Sequence, residues 1–478
     1  MRLPVKKVMC IYPPTGMFNR EDRCQDRAGD IVTVVSRPPM PLLYEAAIVK
    51  KAGKEIIIKD YSAHEGAWYL LKEDIASYRP DMLVFNVTTP SFKEDIKTAA
   101  CVKEVDRNII VVGRGAYFNM FHREVLEKYS DVDVLIRGEW EETFDELVRV
   151  GDLSIVKGIS YRLQGELFVN PERPVISNLD IIPFPDRSVF DNRLSFRPDT
   201  RQPEATIIAA RGCPYQCIYC LASVVNGGCV RMRSPKNIVD ELQECVQRFG
   251  IKTFLFRSDL FTFKQKWVYE ICDEIIARNL KIGWACNTRV DTIDAQKARR
   301  MKQAGCWAVA MGVESGNEES LRKMKKGITL KQAEEAVRVC RKSGLKVFSY
   351  FLIGFPWETH RHIQDTINFA IKLDADLAQF SPIYPYPGTP LYDLAASLGL
   401  ITPEKLHPYA LVKAAMGTQF LSMDEVERYL GLAWKRFHLR PGYILRTLHH
   451  AGPANVLNYL RFGCRALFKL QKLQKVRA

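Results

Sequence analysis

Strands and helices alternate along most of this 478-residue chain, in two blocks separated by a stretch that lacks the pattern. In the first block the apolar runs Val5–Ile11, Glu55–Asp60, Met82–Asn86, Asn108–Gly113 and Val132–Gly138 read as strands. Pro41–Ala52 and Phe92–Val105 read as helices, the former stopped by Gly53. Such alternation predicts a parallel sheet wound with helices on both faces. Ligands of such sheets sit beyond the carboxyl ends of the strands, here Pro13-Pro14, Tyr61-Ser62, Asn86–Ser91, Gly113–Gly115 and Gly138–Thr143.

Residues 151–203 read as a small β-hairpin and then a linker rich in proline (Pro183, Pro185, Pro198, Pro203). From Ala205 the alternation resumes with six strands: ATIIAA, KTFLFR, IGWACN, WAVAMGV, KVFSYFLIG and LAQFSPI. Each but the last is followed by a helix, the first of these capped by Ser234 with Pro235 at its first position. Six such units predict a partial (β/α)6 barrel of the TIM type, short of the closed eight-fold form. After Leu398 the chain reads as helical. The expected division is therefore 1–150, a doubly wound α/β domain; 151–203, hairpin and linker; 204–398, partial barrel; and 399–478, a helical basic region.

The bulk numbers remove several classes. A 47% hydrophobic and 26% charged composition is that of a globular chain and excludes a disordered one. No uninterrupted apolar run reaches about 18 residues, and the N-terminus does not read as a signal peptide, so a cytoplasmic protein is expected. The 13 cysteines are spread along the chain, most inside apolar runs, as buried thiols in a reducing compartment would be.

Three cysteines break that rule. Arg211-Gly212-Cys213-Pro214-Tyr215-Gln216-Cys217-Ile218-Tyr219-Cys220 has the spacing C-x3-C-x2-C and follows the first barrel strand, where barrel active sites lie. Three thiolates on one loop suit three irons of a 4Fe–4S cluster, leaving the fourth iron open. The alternative is a zinc site with Cys229 as fourth ligand.

With Tyr219 as the aromatic, C-x3-C-x-aromatic-C resembles the signature of the radical S-adenosylmethionine (SAM) superfamily. The resemblance covers about Thr206–Leu398. It implies that Cys213, Cys217 and Cys220 hold the cluster, that the open iron binds SAM, and that reductive cleavage yields a 5'-deoxyadenosyl radical. It also implies an external electron donor such as flavodoxin or ferredoxin. Later strand ends match in order: Asp259 after the second strand, where the usual acidic pair is reduced to one; Asn287 and Arg289; Glu314 and Ser315 within GVESG; Gly354 within IGFPWE; and PYPGTP. Together with Tyr219 these are the SAM-binding candidates.

The N-terminal block resembles the domain that precedes the barrel in the cobalamin-binding radical SAM group. That group includes carbon methyltransferases and the anaerobic magnesium-protoporphyrin ester cyclases. Thr88, Thr89, Ser91, Gly113, Gly115 and Glu139 are the cobalamin candidates, the last within Gly138-Glu139-Trp140-Glu141-Glu142-Thr143. Trp140 stands where the group usually has Gly, a bulk that would crowd the nucleotide tail. D-x-H-x-x-G, the motif for a lower axial His, is absent, and His64 reads as a loop residue. The implied activity is methylation or rearrangement of a hydrophobic or polycyclic small molecule: a lipid, hopanoid or tetrapyrrole. Two alternatives stay open. One is an RNA methylthiotransferase with a second cluster on Cys10, Cys24 and Cys101; the other is a non-catalytic metal-binding interaction protein.

The net charge of +14 is uneven. Trp434–Ala478 holds ten Lys or Arg and no acidic residue, and the rest of the chain carries 59 basic against 55 acidic residues. Val456, Leu457, Leu460, Cys464, Leu467 and Phe468 recur at helical spacing beside Arg461, Arg465, Lys469 and Lys472. A basic amphipathic helix favours peripheral contact with an anionic membrane inner face. Nucleic acid binding and a plain solvated helix are the other readings, nucleic acid the weaker.

Overall fold

The computed structural model describes residues 5–21, 25, 38–197, 199–402 and 413–451. The N-terminal unit runs β1 (Lys7–Tyr12), α1 (Met40–Lys51), β2 (Glu55–Asp60), α2 (Trp68–Tyr78), β3 (Met82–Asn86), α3 (Phe92–Asp95), α4 (Lys97–Val105), β4 (Ile110–Arg114), α5 (Tyr117–Lys128), β5 (Val134–Ile136) and α6 (Glu141–Val150). The single helix expected over 92–105 is two, meeting at Ile96. β6 (Ile159–Leu163) and β7 (Glu166–Val169) form the expected hairpin, and β6 pairs antiparallel with β5. The hairpin thus extends the sheet, whose order is β2-β1-β3-β4-β5-β6-β7. β1 and β3 are buried almost throughout, as strands covered on both faces must be. Strand order reverses between β1 and β3, the point where such sheets open a crevice.

Arg187 of the linker anchors the unit to the barrel. It donates to Thr206 O at 2.9 Å and to Glu241 at 2.6 Å, and Arg233 takes the other Glu241 oxygen at 2.5 Å.

The barrel begins at β8 (Glu204–Ile208). β9 (Ala210–Arg211) and β10 (Arg231–Met232) form a short antiparallel ribbon that closes the cysteine loop, with α7 (Ala222–Asn226) inside it. Then follow α8 (Pro235–Phe249), β11 (Thr253–Arg257), α9 (Gln265–Ala277), β12 (Gly283–Thr288), α10 (Ala295–Gln303), β13 (Cys306–Glu314), α11 (Glu318–Lys323), α12 (Leu330–Lys342), β14 (Lys346–Ile353), α13 (His360–Leu373), β15 (Leu377–Pro382) and α14 (Pro390–Ser397). The six long strands form one parallel sheet in the order β15-β14-β13-β12-β11-β8, the partial barrel expected. Ser234 caps α8 through Asn237 N at 3.2 Å, as read from the sequence.

Beyond Leu398 come α15 (Met423–His438) and α16 (Pro441–Ala451). Val426, Leu430, Ala433 and Phe437 of α15 belong to the barrel core. Arg440 and Arg446, two of the ten C-terminal cations, hold Asp374 at 2.8 and 2.9 Å, so their role is structural. The amphipathic pattern over 456–472 lies outside the described residues. Among those described, no helix is long and apolar enough to cross a membrane.

Candidate active site at the facing strand ends

The cysteine loop is held by its backbone. Gly212 has φ +88°, and a Cβ there would lie 2.0 Å from Cys229 O, so only glycine passes. Gly212 N donates to Asp259 Oδ2 at 2.7 Å, which also accepts from Asn226 Nδ2 at 2.8 Å. Asp259 therefore supports the loop. Ile218 N donates to Met324 O at 3.1 Å, and Ala222 N to Cys220 Sγ at 3.4 Å.

Cys213, Cys217 and Cys220 form no disulfide and are partly exposed. Burial pushes the Cys213 thiol up, so ligation, which needs the thiolate, would release a proton there. No three His, Cys, Asp or Glu side chains among the described residues converge as a single ion demands. A cluster needs less: each of three corner irons takes one thiolate, and three cysteines on one pinned loop fit that requirement. Cys229 is exposed, and its backbone carbonyl packs against Gly212.

Around this loop the later strand ends assemble. Glu314, at φ +70°, pairs with Lys326 at 2.7 Å, and Lys326 Nζ lies 3.4 Å from the Tyr219 hydroxyl. Gly312 makes room for this pair: a Cβ there would meet Glu314 Oε1 at 2.2 Å. Burial alone would lower the Lys326 ammonium, but its neighbours, Glu314 foremost and then Cys217, together make the net shift upward. Arg289 is buried, paired with Asp291 at 2.9 Å, and lies 3.5 Å from the centre of the Tyr215 ring. Ser315 Oγ lies 3.0 Å from Thr366 Oγ1. Asn287 sits on β12 opposite the buried Trp284 and Cys286. Gly354 N and Phe355 N both donate to Glu358, at 2.8 and 3.2 Å, and burial pushes that carboxyl up to about 7. Lys326 escaped the sequence reading because Met-Lys-Lys-Gly looks like a solvated turn.

The N-terminal candidates fare differently. Thr88 and Ser91 face inward onto Asp95, which pairs with Arg20 at 2.6 Å. Arg20, wholly buried, also donates to Asn86 O at 2.8 Å and Thr15 Oγ1 at 2.8 Å, so it fills the crevice between β1 and β3. Thr89 N donates to Gln25 at 2.8 Å. Gly113 is needed for packing against Leu135 and Phe118, and Gly115, at φ +140°, for passage beside Val87 O. Glu139 is engaged by Arg231, 2.7 Å on each arm, and by Ile176 N at 2.7 Å. In this conformation Arg20 occupies the crevice, so a corrin tail entering there would displace it. Trp140 is locked in the core, with the Arg114 guanidinium 4.0 Å from its ring centre.

The two units face each other through their strand ends. Arg211, two residues before Cys213, is ion-paired with Glu141 at the start of α6. A cavity of about 100 Å3 lies at this seam, bordered by Tyr44, Trp140 and Glu141 on one side and by Ile208, Arg211 and Arg257 on the other. The methylthiotransferase alternative loses its second triad: Cys10 and Cys101 are buried on opposite faces of the N-terminal sheet, and Cys24 lies outside the described residues. His64 is exposed in the turn after β2.

Comparison with known proteins agrees with this geometry. The family described as the radical SAM superfamily matches residues 207–370, and the B12 binding domain matches residues 31–148. An uncharacterized methyltransferase of Pyrococcus horikoshii is 30% identical over 454 residues, covering 94% of this chain and 96% of that protein. The anaerobic magnesium-protoporphyrin IX monomethyl ester cyclase of Cereibacter sphaeroides is 29% identical over 377 residues, and the match spans 75% of this chain and 60% of the cyclase. Among solved structures, the cobalamin-dependent S-adenosylmethionine radical enzyme OxsB superposes with a TM-score of 0.71 at 15% identity, covering 98% of this chain and 72% of that one. The radical SAM methyltransferase TsrM from Kitasatospora setae follows at 0.65 and 18%, covering 83% and 76%. At such identities the structures speak for the fold. The 4Fe–4S cluster, SAM and cobalamin are the cofactors that the matched family domains take. The chain belongs to the radical SAM superfamily, in the group that carries a B12-binding domain ahead of the barrel.

Proposed function

We propose that the protein transfers a methyl group to, or rearranges, a small molecule in the cavity between its two units, using SAM, the cluster and cobalamin. The observation that carries this reading is the Arg211–Glu141 pair. It ties the cysteine loop to the N-terminal strand ends beside the cavity at the seam, whose wall includes Asp259 from one unit and Glu139 from the other. When bound, cluster and SAM supply a hydrogen-abstracting radical, and cobalamin a methyl carrier.

The chain's own residues hold and orient. Cys213, Cys217 and Cys220 would ligate the cluster. Tyr219, Asn287, Arg289, Glu314, Ser315 and Gly354 would line the SAM position, with Asp259 fixing the loop beneath it. The working division is 1–150, 151–203, 204–398 and 399–478. A hopanoid, tetrapyrrole or other lipid-like substrate agrees with the apolar share of the cavity wall (Met40, Pro41, Trp140, Ile208, Val225).

The test is anaerobic reconstitution. One cluster per chain, a cobalamin absorption spectrum, and 5'-deoxyadenosine on reduction with SAM are expected. All but the cobalamin spectrum should vanish when the three cysteines become Ala. A fully reduced protein that never cleaves SAM would refute the reading.

Peripheral membrane contact is proposed for the C-terminal region. Leu432 of α15, Leu439 in the turn after it, and Ile444 and Leu445 of α16 are exposed just before the basic tail. Sedimentation with anionic liposomes should fall when residues 452–478 are removed; equal partitioning would exclude the contact.

A further inference from the structure

Arg257 ends β11, and strand alternation fixes its direction. Phe254 and Phe256 point outward into the core shared with the helices, so Leu255 and Arg257 point to the inner face. Arg257 lies in register with Ile208 of β8, and both border the cavity between the units. The residue is only 7% exposed. Its Nη2 meets Glu21 of the N-terminal unit at 2.6 Å, while its Nη1 is buried without a hydrogen-bond partner. A buried guanidinium N–H without an acceptor is unfavourable, because the hydration it loses is not replaced. The other charged groups of the wall are engaged: Glu139 by Arg231, Glu141 by Arg211, Asp259 by Gly212 N and Asn226.

We infer that Arg257 is a substrate-binding residue whose Nη1 donates to a carbonyl or carboxylate oxygen of the substrate. The end of the substrate that enters the barrel therefore bears an acceptor oxygen and is not bare hydrocarbon. This narrows the function proposed above and rests on it for the word substrate. Glu21 already neutralises the guanidinium, so a neutral carbonyl is accommodated as well as a carboxylate.

The test uses the full-length, cluster-reconstituted protein and three small aliphatic probes: butyrate, 2-pentanone and n-pentane. Saturation-transfer NMR reads their binding without any turnover. Butyrate and 2-pentanone should bind at least tenfold tighter than n-pentane, and Arg257→Met should abolish that preference. Glu21→Gln, which leaves the guanidinium uncompensated, should strengthen butyrate severalfold; it decides the matter if Arg257→Met does not fold. Preference for n-pentane, an unchanged preference in Arg257→Met, or no binding of any probe up to its solubility limit overturns the assignment. Hydroxocobalamin affinity should be equal in wild type and Arg257→Met. A tenfold loss there gives the donor to a corrin carboxamide and removes it from the substrate. Because the probes need no radical chemistry, a protein that fails to cleave SAM but keeps the oxygen preference refutes the function and leaves the site standing. One that cleaves SAM and prefers n-pentane does the reverse.

Discussion

Glu139 and Arg231 meet in a two-pronged ion pair, 2.7 Å on each arm, across the seam between the N-terminal sheet and the barrel. Both side chains are nearly inaccessible. Removing one partner of such a pair strands a buried charge, a loss of about 3–5 kcal/mol, whereas replacing both with apolar groups is far cheaper. Glu139→Leu should lower the unfolding midpoint markedly, and the double variant Glu139→Leu/Arg231→Met should recover most of it. A double-mutant cycle by chemical denaturation measures the coupling; additive losses would mean the pair does not couple the units.

Gly212→Ala tests the cysteine loop. The added methyl meets Cys229 O at a backbone position that already has φ +88°. The strained loop should hold iron poorly, cutting iron and sulfide per chain at least severalfold after reconstitution. Unfolding should shift by only about 1–3 kcal/mol.

Lys326→Met should leave Glu314 buried and unpaired, costing about 3–5 kcal/mol near neutral pH. Isothermal titration should also register weaker SAM binding, because the pair borders Tyr219 and the cysteine loop.

Glu358 links the Gly354 turn to pH. Burial raises its folded carboxyl from 4.5 to about 7, so between those values the unfolded chain has lost the proton and the folded chain has kept it. Stability contributed by the neutral form is full below about 4.5 and declines as pH rises to about 7, by up to roughly 3 kcal/mol. Thermal midpoints across that window should fall in wild type and fall less in Glu358→Gln. Parallel slopes would show that the carboxyl does not titrate there.

Arg20 occupies the crevice a corrin tail would enter, with Asp95 2.6 Å away. Hydrogen exchange over Thr15–Glu21 should therefore speed up when hydroxocobalamin is added. Unchanged exchange in a protein that has bound it would mean the tail enters elsewhere.

Local pattern determined much of this protein. Hydrophobic runs of strand and helix length set two α/β units, and the spacing of Cys213, Cys217 and Cys220 put three thiols on one loop, because neighbours in sequence are neighbours in space there. Pairings between distant residues obey no period. Arg211 with Glu141 and Arg231 with Glu139 join residues 70 and 92 positions apart. Lys326, in a turn that reads as solvated, becomes the buried partner of Glu314. Gly113 and Gly115, which read as an open cradle, are glycines because Leu135, Phe118 and Val87 O leave no room for a Cβ. A sequence shows which side chains are small, charged or apolar; only packing decides whether a small residue faces a ligand or a neighbour, and which charges are buried together.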